Sequence, residues 1–146
     1  ARAFGAKVIY YSASGAPAQE GYEQVDFETL LTQSDIISVH APLNEHTEGL
    51  INSKAFEKMR SSCIFLNLGR GPIVDEQALY NALVRNQIAA AGLDVLCEEP
   101  MSADNPLVQF KDSKRLLITP NIAWASVEAR THLMEIIHGQ VKDFFA

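Results

Sequence analysis

Several things are scarce in this chain, and each shortage narrows what it can be. Two cysteines, Cys63 and Cys97, in 146 residues are too few for a disulfide framework. Both sit in apolar, strand-like runs and read as reduced core thiols of a cytoplasmic protein. Basic residues number 12 against 18 acidic, a net charge of −6, which argues against nucleic acid or an anionic membrane surface as a partner. No apolar run is long enough to span a bilayer, and no basic-then-apolar start reads as a signal. Repeats and low-complexity segments are missing. The first residue is alanine, and Ala1–Lys7 reads like a helix end stopped by Gly5, so the sequence is expected to be part of a longer protein. What is left, 47% apolar residues, suffices for one domain with a real core.

What is present is organised around Phe65–Glu76. Cys63–Leu68 is a short apolar run of the kind that forms a strand buried on both faces of a parallel sheet. Gly69 and Gly71 bracket Arg70, so the chain can turn sharply where the strand ends. Asp75 is a good N-cap, and Ala78, Leu79, Ala82 and Leu83 follow at helical spacing. One guanidinium is thereby left at the carboxyl end of a strand, where open α/β sheets bind ligands. Its planar fork suits a carboxylate.

The rest alternates in the same way. Strands are expected at Val8–Tyr11, Asp35–His40, Ile88–Leu96 and Leu116–Thr119, and helices at Phe27–Gln33 and Lys54–Met59. Ser12–Pro17 and Met101–Arg115 read as loops. Ser126 caps a long final helix whose apolar stripe runs through Val127, Met134, Ile137, Val141 and Phe145. Alternation of this kind means right-handed crossovers and a doubly wound parallel sheet. Polar groups at three strand ends, Arg70, Asp94 with Glu99, and Asn121, then open on one edge.

These residues resemble a known family. Asn67-Leu68-Gly69-Arg70-Gly71 with Val74-Asp75, Gly92-Leu93-Asp94-Val95 with Glu99-Pro100, and Thr119-Pro120-Asn121-Ile122-Ala123-Trp124-Ala125 resemble the D-isomer-specific 2-hydroxyacid dehydrogenases. The ending is most like the glycerate dehydrogenase (hydroxypyruvate reductase) branch. The likeness covers the whole chain in order, including Ser38–Leu43 with Thr47. It implies a Rossmann-type α/β fold, with residues 1–146 a partial dinucleotide-binding domain and the substrate domain lying elsewhere. It implies a small 2-hydroxy or 2-oxo acid as substrate, a homodimer, and no metal. By the same resemblance Arg70 holds the substrate carboxylate and carbonyl, and Glu99 supports the proton-shuttling position. Asp94 lies near the nicotinamide carboxamide, while Ala41, Pro42, Thr47, Leu68, Gly69, Arg70 and Ala123 line the cofactor.

Three departures accompany the likeness. The Gly-rich dinucleotide loop and its strand are missing from this stretch, and that strand is expected between those at Val8 and Cys63. Ser12 stands where NAD-preferring members carry an acidic residue for the ribose hydroxyls. No carboxylate there repels a 2′-phosphate, which leaves NADP open, while NAD is the cofactor the resemblance implies because most of the family uses it. Most consequential, Asn121 stands at the proton-shuttling histidine position. An amide hydrogen-bonds but delivers no proton, and loss of an acid/base group typically costs on the order of 10²–10⁴ in rate. His40 ends a neighbouring strand, where a structural role is expected. A non-catalytic NAD(H)-binding or oligomerisation module on this scaffold is the alternative reading.

Overall fold

Residues 1–145 are described by a computed structural model. Ten regular elements carry the architecture: β1 (Ile9–Tyr10), β2 (Glu23–Gln24), α1 (Phe27–Gln33), β3 (Ile36–Val39), α2 (Ser53–Lys58), β4 (Ile64–Asn67), α3 (Glu76–Val84), β5 (Ala90–Leu93), β6 (Leu116–Ile118) and α4 (Val127–Phe144). β3, β4, β5 and β6 form one parallel sheet in that order, and β1 pairs with β2, also parallel, in a second. This is the expected Rossmann-like α/β arrangement.

Local chemistry sets the helix starts. Asp26, Asn52, Asp75 and Ser126 each accept a backbone N–H of the first turn of α1, α2, α3 and α4, satisfying donors that the helix leaves unpaired. One face of the four-stranded sheet carries Ile37, Val39, Phe65, Ala91 and Leu93, all buried. Leu31 of α1, Ala55 and Phe56 of α2, and Ala78, Leu79, Ala82 and Leu83 of α3 cover it. Apolar side chains alternate inward with strand period, and those of the helices recur at three or four residues.

The other face departs from expectation. β4 was expected to be buried on both sides, but Ile64 is exposed, as are Ile36 and Leu117, the last at 65%. No described element covers that face, and α4 keeps none of its residues buried. The position of the missing strand also needs correcting. β4 already has β3 on one side and β5 on the other, so no gap lies beside it. The break falls between the β1–β2 pair and the larger sheet. Cys63 is buried as expected, whereas Cys97 is exposed because it sits in the turn after β5 rather than inside the strand. The loop 101–115 contains a 3₁₀ turn, Pro106–Gln109, capped by Asn105.

Candidate functional site

At the carboxyl ends of β4, β5 and β6 three turns meet around a cleft of about 570 Å³, lined by Leu68, Gly69, Arg70, Asp94, Val95, Leu96, Cys97, Glu99, Asn121, Ala123 and Trp124. That size is within the range of small-molecule and cofactor sites.

The first turn is set by Asn67, the buried last residue of β4. Its Oδ1 accepts from Gly69 N at 3.1 Å and its Nδ2 donates to the Arg70 carbonyl at 3.0 Å. One amide therefore bridges both sides of the turn. Gly71 has no room for a side chain, since a Cβ would collide with the Leu96 carbonyl and Cys97 nitrogen. The Arg70 turn and the turn after β5 thus touch through backbone. Arg70 itself is exposed, its Nη1 donating to the Gly69 carbonyl at 2.9 Å.

The second turn carries Asp94 and Glu99. Asp94 is 5% exposed, and its carboxylate accepts from Thr119 Oγ1 (2.6 Å), Ile122 N (3.0 Å) and Ala123 N (2.9 Å). Burial pushes its carboxyl up, but these hydrogen bonds outweigh burial and hold it below the usual value. Asp94 is therefore the bracket that fixes the third turn. Glu99 is exposed. Its Oε1 accepts from Leu96 N at 3.0 Å and its Oε2 from Asn121 Nδ2 at 3.2 Å. Asn121 has φ 52°, the left-handed region that asparagine tolerates better than most residues. The sharp bend it makes presents Ile122 N and Ala123 N to Asp94.

Of the residues singled out from sequence, Leu68, Gly69, Arg70, Asp94, Glu99, Asn121 and Ala123 line this cleft. Ala41 lies at its margin, since a Cβ on Gly69 would stand 3.1 Å from the Ala41 carbonyl. Pro42 and Thr47 belong to the neighbouring loop. Thr47 is 0% exposed, donating to the Pro42 carbonyl at 2.6 Å and accepting from Asn44 N at 2.9 Å. It holds the loop. Ser12 lies apart, after β1 in the second sheet, hydrogen-bonded to Ser14 Oγ at 3.2 Å. His40 pairs with Ser38 Oγ at 2.8 Å and does not line the cleft.

Sequence reasoning missed Glu76. Its two oxygens accept from Cys97 N (2.8 Å) and Asn105 Nδ2 (2.7 Å), tying α3 to both ends of the loop that carries Glu99. No local pattern marks this, because the partners lie 21 and 29 residues away.

The donor set fits the nicotinamide end of a dinucleotide. Gly69 and Ala123 contribute little side-chain bulk to the lining, and the exposed Arg70 guanidinium lines the same cleft as the hydrogen-bonded Glu99–Asn121 pair.

Comparison with known proteins agrees. Residues 1–123 match the model of the D-isomer specific 2-hydroxyacid dehydrogenase NAD binding domain. A hydroxypyruvate reductase of Blautia hydrogenotrophica is 43% identical over 146 residues, covering 99% of this chain and 44% of that protein. An acyclic imino acid reductase solved with NADPH and D-Arg superposes with a TM-score of 0.87 at 36% identity, covering 99% of this chain and 45% of the other. The D-lactate dehydrogenase of Aquifex aeolicus, solved with NAD and lactic acid, gives 0.87 at 28% identity over 99% of this chain and 47% of the other. The chain thus spans less than half the length of the proteins it matches.

Proposed function

Taking as premise that the chain belongs to the D-isomer specific 2-hydroxyacid dehydrogenase family and is its NAD-binding domain, we propose that it forms the nicotinamide half of an oxidoreductase acting at C2 of a small 2-hydroxy or 2-oxo acid, of the glycerate/hydroxypyruvate type. The rest of the protein supplies a substrate domain, and the whole works as a homodimer. NAD(P), when bound, supplies or accepts the hydride at C2.

This chain's residues do the remaining work. Ala41, Pro42, Leu68, Gly69, Asp94 and Ala123 form the wall for the nicotinamide, with Thr47 bracing the loop and Ser12 serving the ribose end, which leaves NAD and NADP both acceptable. Arg70 grips the substrate carboxylate, since a planar, permanently charged fork binds a carboxylate through two parallel hydrogen bonds. Glu99 accepts one N–H of the Asn121 amide, and Asn121 offers the other to the heteroatom on C2. The observation that carries the reading is the meeting of Arg70, Glu99 and Asn121 around one cleft. Hydroxypyruvate, which one similar protein reduces, and the lactic acid bound in another share a carboxylate beside the reacting carbon.

Asn121 also supports a second reading, a non-catalytic NAD(H)-binding or oligomerisation module. Asn121→His in the whole protein separates the two. The dehydrogenase reading expects hydroxypyruvate or glyoxylate reduction, followed by NADH absorbance, to rise on the order of 10²–10⁴-fold. NADH binding with no turnover on any 2-oxo acid in that variant supports the module instead.

A further inference from the structure

We propose that this site is built for a protonated C=N bond, so that its substrate is a 2-iminium carboxylate rather than a 2-oxo carboxylate. The inference rests on the hydride-transfer reading above and replaces its 2-oxo acid by the iminium formed from such an acid.

The argument starts from what the two reductions demand. When hydride from a reduced nicotinamide adds to C2 of a 2-oxo acid, the C=O π pair moves to oxygen and must be met by a proton from the site. When hydride adds to C2 of an iminium, the π pair moves to a nitrogen that already carries its proton. The product is a neutral amine with a lone pair, the nicotinamide is left oxidised, and nothing further is required of the protein. The amine then takes its next proton from water.

Among the described residues, the cleft is supplied for the second case only. Asn121 stands where a proton donor is needed, and its amide has none to give. Cys97 does not replace it. Its Sγ points at the Val74 carbonyl 3.7 Å away, and burial together with the Glu76 charge pushes the thiol up to about 11. Among the residues lining the cleft, the other ionisable groups are Arg70, Asp94 and Glu99. Arg70 never releases its proton. Asp94 is a buried carboxylate occupied by three donors.

Glu99 then decides the sign of the field. Its hydrogen-bonded side-chain neighbour is a neutral amide, and the one cation among the described residues lining the cleft is Arg70, on the other turn. A negative charge beside the heteroatom opposes a developing alkoxide and favours an iminium N–H⁺, and the same carboxylate can accept that N–H. Arg70 sits on the other turn and binds the carboxylate in either case. A missing proton donor and a Glu99 paired with a neutral amide thus push toward one substrate class. Condensation of a 2-oxo acid with ammonia or a primary amine is the class of reaction that supplies it.

The test uses the whole protein with NADH and NADPH, following nicotinamide absorbance with pyruvate alone and with pyruvate plus ammonium chloride or methylamine. Turnover is expected to depend on the amine and to exceed that on pyruvate alone by on the order of 10²-fold or more, with alanine or N-methylalanine identified by mass. A second readout needs no turnover. Calorimetry on the NAD(P)⁺-loaded protein should find alanine, in one enantiomer, bound more tightly than lactate, and Glu99→Gln should erase that preference while Glu99→Asp retains part of it. Pyruvate reduction indifferent to added amine, or lactate bound at least as tightly as alanine, overturns the proposal. Cofactor binding without turnover on either substrate overturns it in favour of the non-catalytic module. Failure to bind either cofactor removes the hydride-transfer reading itself.

Discussion

The carboxyl ends of β4–β6 and the carboxyl end of β1 are both loops after parallel strands, yet they are built very differently. At the first, three turns are locked to one another. Asn67 bridges its own turn, Gly71 lies against the backbone of the next, and Asp94 takes three donors from the third. At the second, β1 has two residues and one neighbour, and Ser12 bonds only within its own loop, to Ser14 and Ala16. The difference teaches where this stretch of sequence is self-sufficient. The cleft that carries Arg70, Asp94 and Glu99 is specified by its own contacts, while the loop after β1 is held by little that is described.

Substitutions should reproduce that gradient. The largest effect is expected at Arg70. Arg70→Gln removes a charged, bidentate grip and should weaken oxamate binding to the NADH-loaded whole protein by on the order of 10²–10³-fold, read by nicotinamide fluorescence. A smaller effect, on stability, is expected at Asp94. Asp94→Asn replaces a buried carboxylate that accepts three hydrogen bonds, and should cost about 1–3 kcal/mol in denaturant unfolding near neutral pH. Because the folded carboxyl is held below its ordinary value of 3.8, this contribution is present above that pH. It disappears as the pH falls through the folded value, so wild type and variant should converge in acid. The smallest effect belongs to the other end. Ser12→Ala, at a loop with only local bonds, should stay within about 0.5 kcal/mol of wild-type stability. A loss there comparable to that at Asp94 would erase the contrast.

Much of the site was legible because its residues are local signals. Glycines around Arg70, proline after Glu99, and capping Asp75 and Ser126 each declare a turn or a helix start within a few positions. The helices at 27–33 and 54–59 and the four strands of the main sheet follow from periodicity, with no end shifted by more than three residues. What was not legible depends on distant partners. Glu76 works through residues across the fold, and nothing local reveals that the Thr47 hydroxyl turns inward to Pro42. Strand order failed for the same reason. Apolar runs at Val8, Asp35 and Cys63 look alike in composition, and only pairing shows that β3 occupies the place beside β4. The open sheet face was equally hidden, since Ile36, Ile64 and Leu117 read as core until no described element is found over them.

The central claim is that Arg70, Glu99 and Asn121 converge on one ligand beside a nicotinamide. A crystal structure of the whole protein with oxidised or reduced NAD(P) and oxamate tests it most directly. The account predicts the oxamate carboxylate on the Arg70 guanidinium with its amide end toward Glu99 and Asn121. Oxamate bound away from Arg70, or a nicotinamide ring outside the cleft formed by Leu68–Arg70, Asp94 and Ala123, would contradict it.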